Sequence, residues 1–285
     1  MDYILIFIMC VLATAKMSFQ SAFGKRAVKN SADALVFNIF VFIVSAMLFL
    51  PKLFGCSAAV WVYGAFGAVC AVAYQLLYTK ALSIGNVSLT AMISNFSMVI
   101  NVLVSYMFFD EPISLMRLFG IALTVTSFVI CNSGGEKSGV DKKWLIMAVL
   151  AMFATSAGSI VQKMLGESPY KAENQAFISC LYLLSALIGV LIYPLLKKGE
   201  KLNLKINFGM IKYAVAVGVS LALYQWVYTY GLANIDGTFL FPSLSGGTIV
   251  LSTLSGVIIF KDKFTNRQKI GVIIGIISLI LINMF

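Results

Sequence analysis

Apolar residues run along this chain for about twenty positions at a time, broken by short polar clusters. The runs fall at about 3–24, 32–50, 58–79, 86–108, 114–131, 144–164, 174–195, 209–232, 238–259 and 267–284. Each is close to the length an α-helix needs to cross a hydrocarbon core of about 30 Å. A transmembrane β-barrel would instead show shorter segments of alternating polarity. The pattern therefore predicts an all-α polytopic membrane protein with ten transmembrane helices. Ten helices of about 21 residues use about 210 of the 285 positions, which leaves no room for an extramembrane domain. The longest polar connections are NSGGEKSGVDKK at 132–143 and KKGEKLNLKIN at 197–207. The first reads as a linker, dividing the chain into a five-helix unit at 1–134, a linker at 135–143 and a second five-helix unit at 144–285.

The two units repeat one another. YQLLYTKAL at 74–82 aligns with YQWVYTYGL at 224–232, matching Tyr74, Gln75, Tyr78, Thr79 and Leu82 to Tyr224, Gln225, Tyr228, Thr229 and Leu232. One residue further out of step, Ser94, Val99, Leu103, Phe109 and Gly120 meet Ser245, Val250, Leu254, Phe260 and Gly271, and the charged turn FDEPIS faces FKDKFT. Because each unit holds an odd number of spans, the second enters the membrane upside down relative to the first. Inverted repeats of this kind suit alternating access around a site near the membrane midplane.

Composition agrees and narrows the function. The chain is 60% hydrophobic and 11% charged, too apolar for a soluble fold to cover its surface. Its net charge of +10 is spread over many short loops, where it meets lipid headgroups and sets orientation, and no single patch exists for nucleic acid. Five dispersed cysteines, without a CxxC, and no histidine predict no disulfide framework, no metal site and no cofactor. No Ser/Lys or paired-Asp constellation and no HExxH occurs, so an intramembrane enzyme is not expected. MDYILIFIMCVLATAKM lacks a basic leader region and reads as a retained first span.

Lys16 is the most informative position. It lies about 20 Å along the first span, counted from Tyr3 at 1.5 Å per residue, with about 10 Å of hydrocarbon beyond it. A lysine at that depth is by default a functional residue facing a cavity. The alternative is that its four-carbon stem snorkels toward the Lys25/Arg26 end. Gln20, one turn on, shares its face with Ala13 and Gly24. Tyr74, Gln75 and Tyr78 share another face, and Tyr224, Gln225 and Tyr228 copy it; cavity lining and interfacial anchoring are the two readings, with anchoring better suited to Tyr230 and Trp61 and a lipid-facing place to Trp226. Span four offers Ser94, Asn95, Ser97 and Asn101, and span nine offers Pro242, Ser243, Ser245, Gly246, Gly247 and Thr248, either as cavity lining or as close helix packing. Gly271 and Gly275 form a GxxxG pair that reads as packing, between helices or in a dimer.

The acids Asp110, Glu111, Asp236 and Asp262 sit at span ends, where a solvated or headgroup role is expected. With no acid in mid-membrane, the site should favour an anionic or zwitterionic solute, its carboxylate or phosphate on Lys16 and its polar remainder on the Tyr, Gln, Asn, Ser and Thr groups. Desolvation favours a neutral amine, so Lys16 is also the candidate for carrying a coupling proton.

In YTKALSIGNVSLTAMIS, its counterpart YTYGLANIDGTFLFPSLS, and the turns FFDEPISLMRLFGIAL and FKDKFTNRQKIGVIIG, the chain resembles EamA-like members of the drug/metabolite transporter superfamily over essentially its whole length. It departs from them in carrying Ala15-Lys16 where the first helix of that family often has a Trp-Gly pair. The resemblance implies a secondary transporter in a bacterial cytoplasmic membrane, monomeric or homodimeric, exporting a small amino-acid-like metabolite. Broad-specificity drug export and flipping of a lipid-linked sugar are the alternatives.

Two further expectations follow. Helices 1, 3, 4, 6, 8 and 9 should surround the cavity, with the near-uniformly apolar helices 5 and 10 peripheral. Loops after odd-numbered spans carry 16 Lys and Arg residues against 4 on the other face (Lys52, Arg117, Lys163, Lys171), so the positive-inside rule places both termini outside, although similar transporters are drawn with both inside.

Overall fold

The computed structural model describes residues 2–27, 30–84, 93–94, 96–132, 142–197, 202, 204, 206–260 and 266–284. Among them the elements are helical: α1 (Asp2–Ala27), α2 (Ser31–Leu48), α3 (Ala58–Ile84), α4 (Ser97–Phe108), α5 (Leu115–Asn132), α6 (Lys142–Glu167), α7 (Asn174–Lys197), α8 (Phe208–Leu232), α9 (Gly237–Phe260) and α10 (Asn266–Met284), with short 3-10 turns at Leu50–Leu53 and Lys171–Glu173. Five of these helices are long and apolar enough to cross a membrane by length and composition alone, and the chain is an integral membrane protein. Helix α4 starts later than its apolar run suggests: Ile93 and Ser94 are helical, Phe96 forms a turn, and the regular helix begins at Ser97.

Exchange of the two halves preserves most of the packing among the described residues, the contacts of α9 with α5 and α10 excepted. Helix α3 lies on α6 as α8 lies on α1, α3 lies on α7 as α8 lies on α2, and α4 meets α6 as α9 meets α1; α2 and α7 pair, as do α5 and α10. This is the exchange symmetry of the inverted repeat read from YQxxYT, and nearly every major interface joins one half to the other. The loops obey it too. The Glu173 carboxylate, just before α7, accepts hydrogen bonds from Ser57 N and Oγ at the start of α3. On the other half, Asp33 near the start of α2 accepts Leu204 N, which leads toward α8, at 2.9 Å. Glu173 thus satisfies the amide at the start of α3, which has no partner in its own helix, and Asp33 that of a connecting residue four positions ahead of α8.

The main core lies where α2, α3, α7 and α8 meet, around Phe37, Val41, Phe177, Leu181 and Val217. A second lies where α1, α4, α8 and α9 meet, around Met9, Met98, Leu232 and Leu240. Helices α5 and α10 stand beside the bundle as expected. They join through Ser127 Oγ, which donates to Gly271 O at 2.6 Å, and through Thr124 Oγ1 and Ser278 Oγ at 3.0 Å. The Gly271/Gly275 pair is thus spent on packing within the chain: Gly271 is buried, and a Cβ at Gly275 would stand 3.0 Å from Ser127 Oγ. Tyr230, Trp61 and Trp226 are exposed.

Candidate functional site

A cavity of about 220 Å³ opens between α1, α2, α3, α6, α7 and α8. Helices α2 and α7, not α4 and α9, complete its wall among the described residues. The reason is packing at the expected positions. Asn101 on α4 is buried and accepts Ser156 Oγ of α6 at 2.6 Å, and on α9 Gly247 lies against Cys10 of α1 while Thr248 Oγ1 donates back to Ser245 O. Asn101 thus spends its polarity between helices, and Thr248 spends its own within α9.

Of the candidates, Lys16, Gln20, Tyr74, Gln75, Tyr224, Gln225 and Tyr228 line the cavity together. Tyr78 stacks on Tyr74 with ring centroids 5.2 Å apart, and Tyr224 stacks on Tyr228 at 5.5 Å, so the repeated sequence builds a repeated aromatic pair. Tyr78, Ser94, Asn101, Ser243, Ser245 and Thr248 do not appear in the described lining, and Asn95 lies outside the described residues. Ser94 and Ser243 are buried, with hydroxyls that find no partner among the described residues.

The sequence reading missed Asn38, Phe42, Thr155, Ser159, Gln162 and Tyr182. Thr155, Ser159 and Gln162 had a signal, since their spacing of four and three puts them on one face of α6. Asn38 on α2 and Tyr182 on α7 are single residues in apolar runs, which gives no periodicity to read. Gln162 forms the floor with Gln225, backed by Thr229: its Oε1 accepts Gln225 Nε2 and, at 3.3 Å, Thr229 Oγ1, while Tyr228 OH donates to Ser159 Oγ at 3.2 Å.

The two lysines deep in the bundle differ in their surroundings. Lys163, near the end of α6, pairs with Glu111 and Glu167 and donates to Leu232 O. Lys16 lines the cavity as its one charged described residue, and among the described residues it takes neither a hydrogen bond nor an ion pair. The hydroxyls of Tyr74, Tyr182 and Tyr224 also have no hydrogen-bond partner there, although each ring stacks on another. An amine, phenol donors and amides around a small cavity can bind a polar solute, and no described lining residue is an acid that could answer a bare cation.

Glu111 departs from the solvated role expected of a span-end acid. It is buried, with only 7% of its surface exposed. The cause is local: Asp110 adopts φ 52, a left-handed conformation that Asp tolerates better than most residues, and the turn sends Glu111 back against Ser105.

Among curated proteins none matches this sequence. One solved crystal structure superposes with a TM-score of 0.80 at 14% identity, covering 99% of this chain and 96% of that one, a likeness of fold. The EamA-like transporter family matches residues 4–133 and 142–284, one repeat in each half and nearly all of the chain. With its ten-helix inverted architecture and central polar cavity, this chain therefore belongs to the EamA-like transporter family of the drug/metabolite transporter superfamily, and is a secondary transporter rather than an enzyme.

Proposed function

We propose that the transporter carries a small anionic or zwitterionic, amino-acid-like metabolite, with a carboxylate or phosphate on Lys16 and the polar remainder on Gln20, Asn38, Tyr74, Tyr182 and Tyr224. The observation that carries this reading is the contrast between the lysines: Lys163 is neutralised by protein carboxylates, whereas Lys16 lines the cavity without a described partner. A charge kept that deep is expensive unless a ligand or water answers it. The volume also favours a small solute, since about 220 Å³ is below the roughly 300–1,000 Å³ of drug-sized sites. Export is the direction that the family resemblance favours, and Lys16 is the group placed to carry a coupling proton when the ligand leaves it.

The test is a thermal-shift and equilibrium-binding screen of the purified protein against amino acids, phosphate esters and quaternary amines. Acids or zwitterions should stabilise it, and Lys16→Met should weaken that binding about a hundredfold, roughly 2.7 kcal/mol. Stabilisation by quaternary amines alone, or unchanged binding by Lys16→Met, refutes the proposal. Proton flux into proteoliposomes that survives Lys16→Met would remove the coupling role.

A further inference from the structure

Below the floor of the cavity, where α6 and α8 end, the bundle closes. Leu165 of α6, Leu232 of α8, Met9 of α1 and Leu240 of α9 are all fully buried there. Helices α6 and α8 come so near that a Cβ on Gly166 would lie 3.0 Å from the backbone of Ala233. This end includes the N-terminal part of α1 and the starts of α5 and α9, since Tyr3 and Arg117 both meet the ring of Phe239. It is the charge-poor face of the sequence count.

One side chain of the first half ties these pieces together. Glu111, on the turn between α4 and α5, pairs with Lys163 of α6 through Oε1 and accepts Thr238 N at the start of α9 through Oε2, at 2.9 Å. Lys163 in turn reaches Leu232 O at the end of α8 at 3.4 Å. Thr238 Oγ1 holds the same turn by donating to Pro112 O at 3.1 Å. A single carboxylate thus clamps three helix ends of the second half, directly beneath Gln162, the neighbour of Lys163 and a floor residue.

We infer that the Glu111–Lys163 pair is the latch of the gate at this end, and that its separation is the step that opens the cavity to the charge-poor face. The inference rests on the chain being an alternating-access transporter and not on which solute Lys16 holds. Such a transporter must expose its site to each side in turn, and here the first half has to leave the second at Glu111. A buried ion pair suits this work. Its attraction roughly offsets the desolvation of both charges, so the pair can pass into water together at little net cost, whereas one charge left alone in the closed end is strongly unfavourable. Glu167, half exposed and 3.2 Å from Lys163 Nζ, keeps a partner on the lysine as Glu111 withdraws.

The test needs no substrate. Cys70 lines the cavity, and it is kept as the sole cysteine after replacement of Cys10, Cys56, Cys131 and Cys180 by alanine. A membrane-impermeant maleimide is then applied from each face of oriented vesicles. The parent should react slowly from the Glu111 face. Lys163→Met should raise the rate from that face at least tenfold by stranding Glu111, and Glu111→Gln, which leaves Glu167 on the lysine but unties the first half, should raise it at least fivefold. The double variant Glu111→Gln with Lys163→Met strands none and should return to within threefold of the parent. Unchanged rates in folded single variants overturn the inference, as does a double variant as reactive as the singles. Single variants that fail to accumulate, beside a double variant that accumulates and reacts like the parent, place the pair in folding alone and overturn it too.

Discussion

The crossing of α2 and α8 is a tight constraint on the shape of the cavity, with backbone as well as side chain in the way, and Gly218 tests it. A Cβ placed there would lie 2.8 Å from Val44 Cβ and Cγ1 and 2.9 Å from the carbonyl oxygen of Val41. Ordinary contact begins near 3.4 Å, so Gly218→Ala must part the helices by 3.4 − 2.8, about 0.6 Å. The carbonyl cannot turn aside as a long side chain would. Ser45 Oγ donates to Gly218 O at 2.9 Å, and the same displacement takes that bond to the edge of usefulness. Overpacking costs about 1–3 kcal/mol, the interhelical bond about 0.6, and the better helix propensity of alanine returns about 1. The net loss is about 0.6–2.6 kcal/mol, a fall in Tm of roughly 1–10 °C at about 2–4 °C per kcal/mol. Val217 and Leu221 on α8, and Val41 and Phe42 on α2, are cavity walls, so ligand affinity should fall as well. Gly158→Ala is the comparison: its Cβ would meet only Cys70 Cβ, at 3.5 Å, so it should melt at or above the parent while reducing the room for ligand. Thermal unfolding in detergent measures both, and a Gly218→Ala protein as stable as the parent would refute the crossing described above.

Asn101→Ala should cost about 1–3 kcal/mol by leaving Ser156 buried without its acceptor, whereas pairing it with Ser156→Ala should recover most of the loss in the same melt. Glu173→Ala and Asp33→Ala remove related anchors at opposite faces and should each lower stability by about 0.5–2 kcal/mol; a large effect from one and none from the other would break the symmetry argument. A reporter fused to the C-terminus should be active only outside the cell if the 16-to-4 charge count sets the topology, and activity only in the cytoplasm would reverse it.

The ten spans, the inverted repeat and the peripheral place of α5 and α10 were legible because each rests on a long signal: uninterrupted apolar length, a repeated YQxxYT, and near-uniformly apolar runs. Lys16 was legible because a charge at that depth stands alone in its segment. What the sequence hid was direction. Nothing in the apolar run around Asn38 or Tyr182 tells which way a lone polar group turns, and the hydroxyls of α9 read equally well as lining and as packing until Gly247 is seen against Cys10. Glu111 was hidden by one backbone angle. As text it ends a span and belongs in water; with Asp110 left-handed, it turns inward to Lys163.

The anchors between the halves carry a consequence for how the protein is made. Asp33 waits for Leu204, 171 residues later, and Glu111 waits for Thr238, 127 residues later. At about 5–20 residues per second, the ribosome needs roughly 9–34 s to deliver the first of those partners and roughly 6–25 s to deliver the second. Throughout that interval the leading five helices sit in the bilayer with acids, hydroxyls and amides whose partners have not yet been translated. Neither half is a finished object, and a nascent chain stalled near the linker should be a client of insertion chaperones and quality-control proteases until its second half arrives.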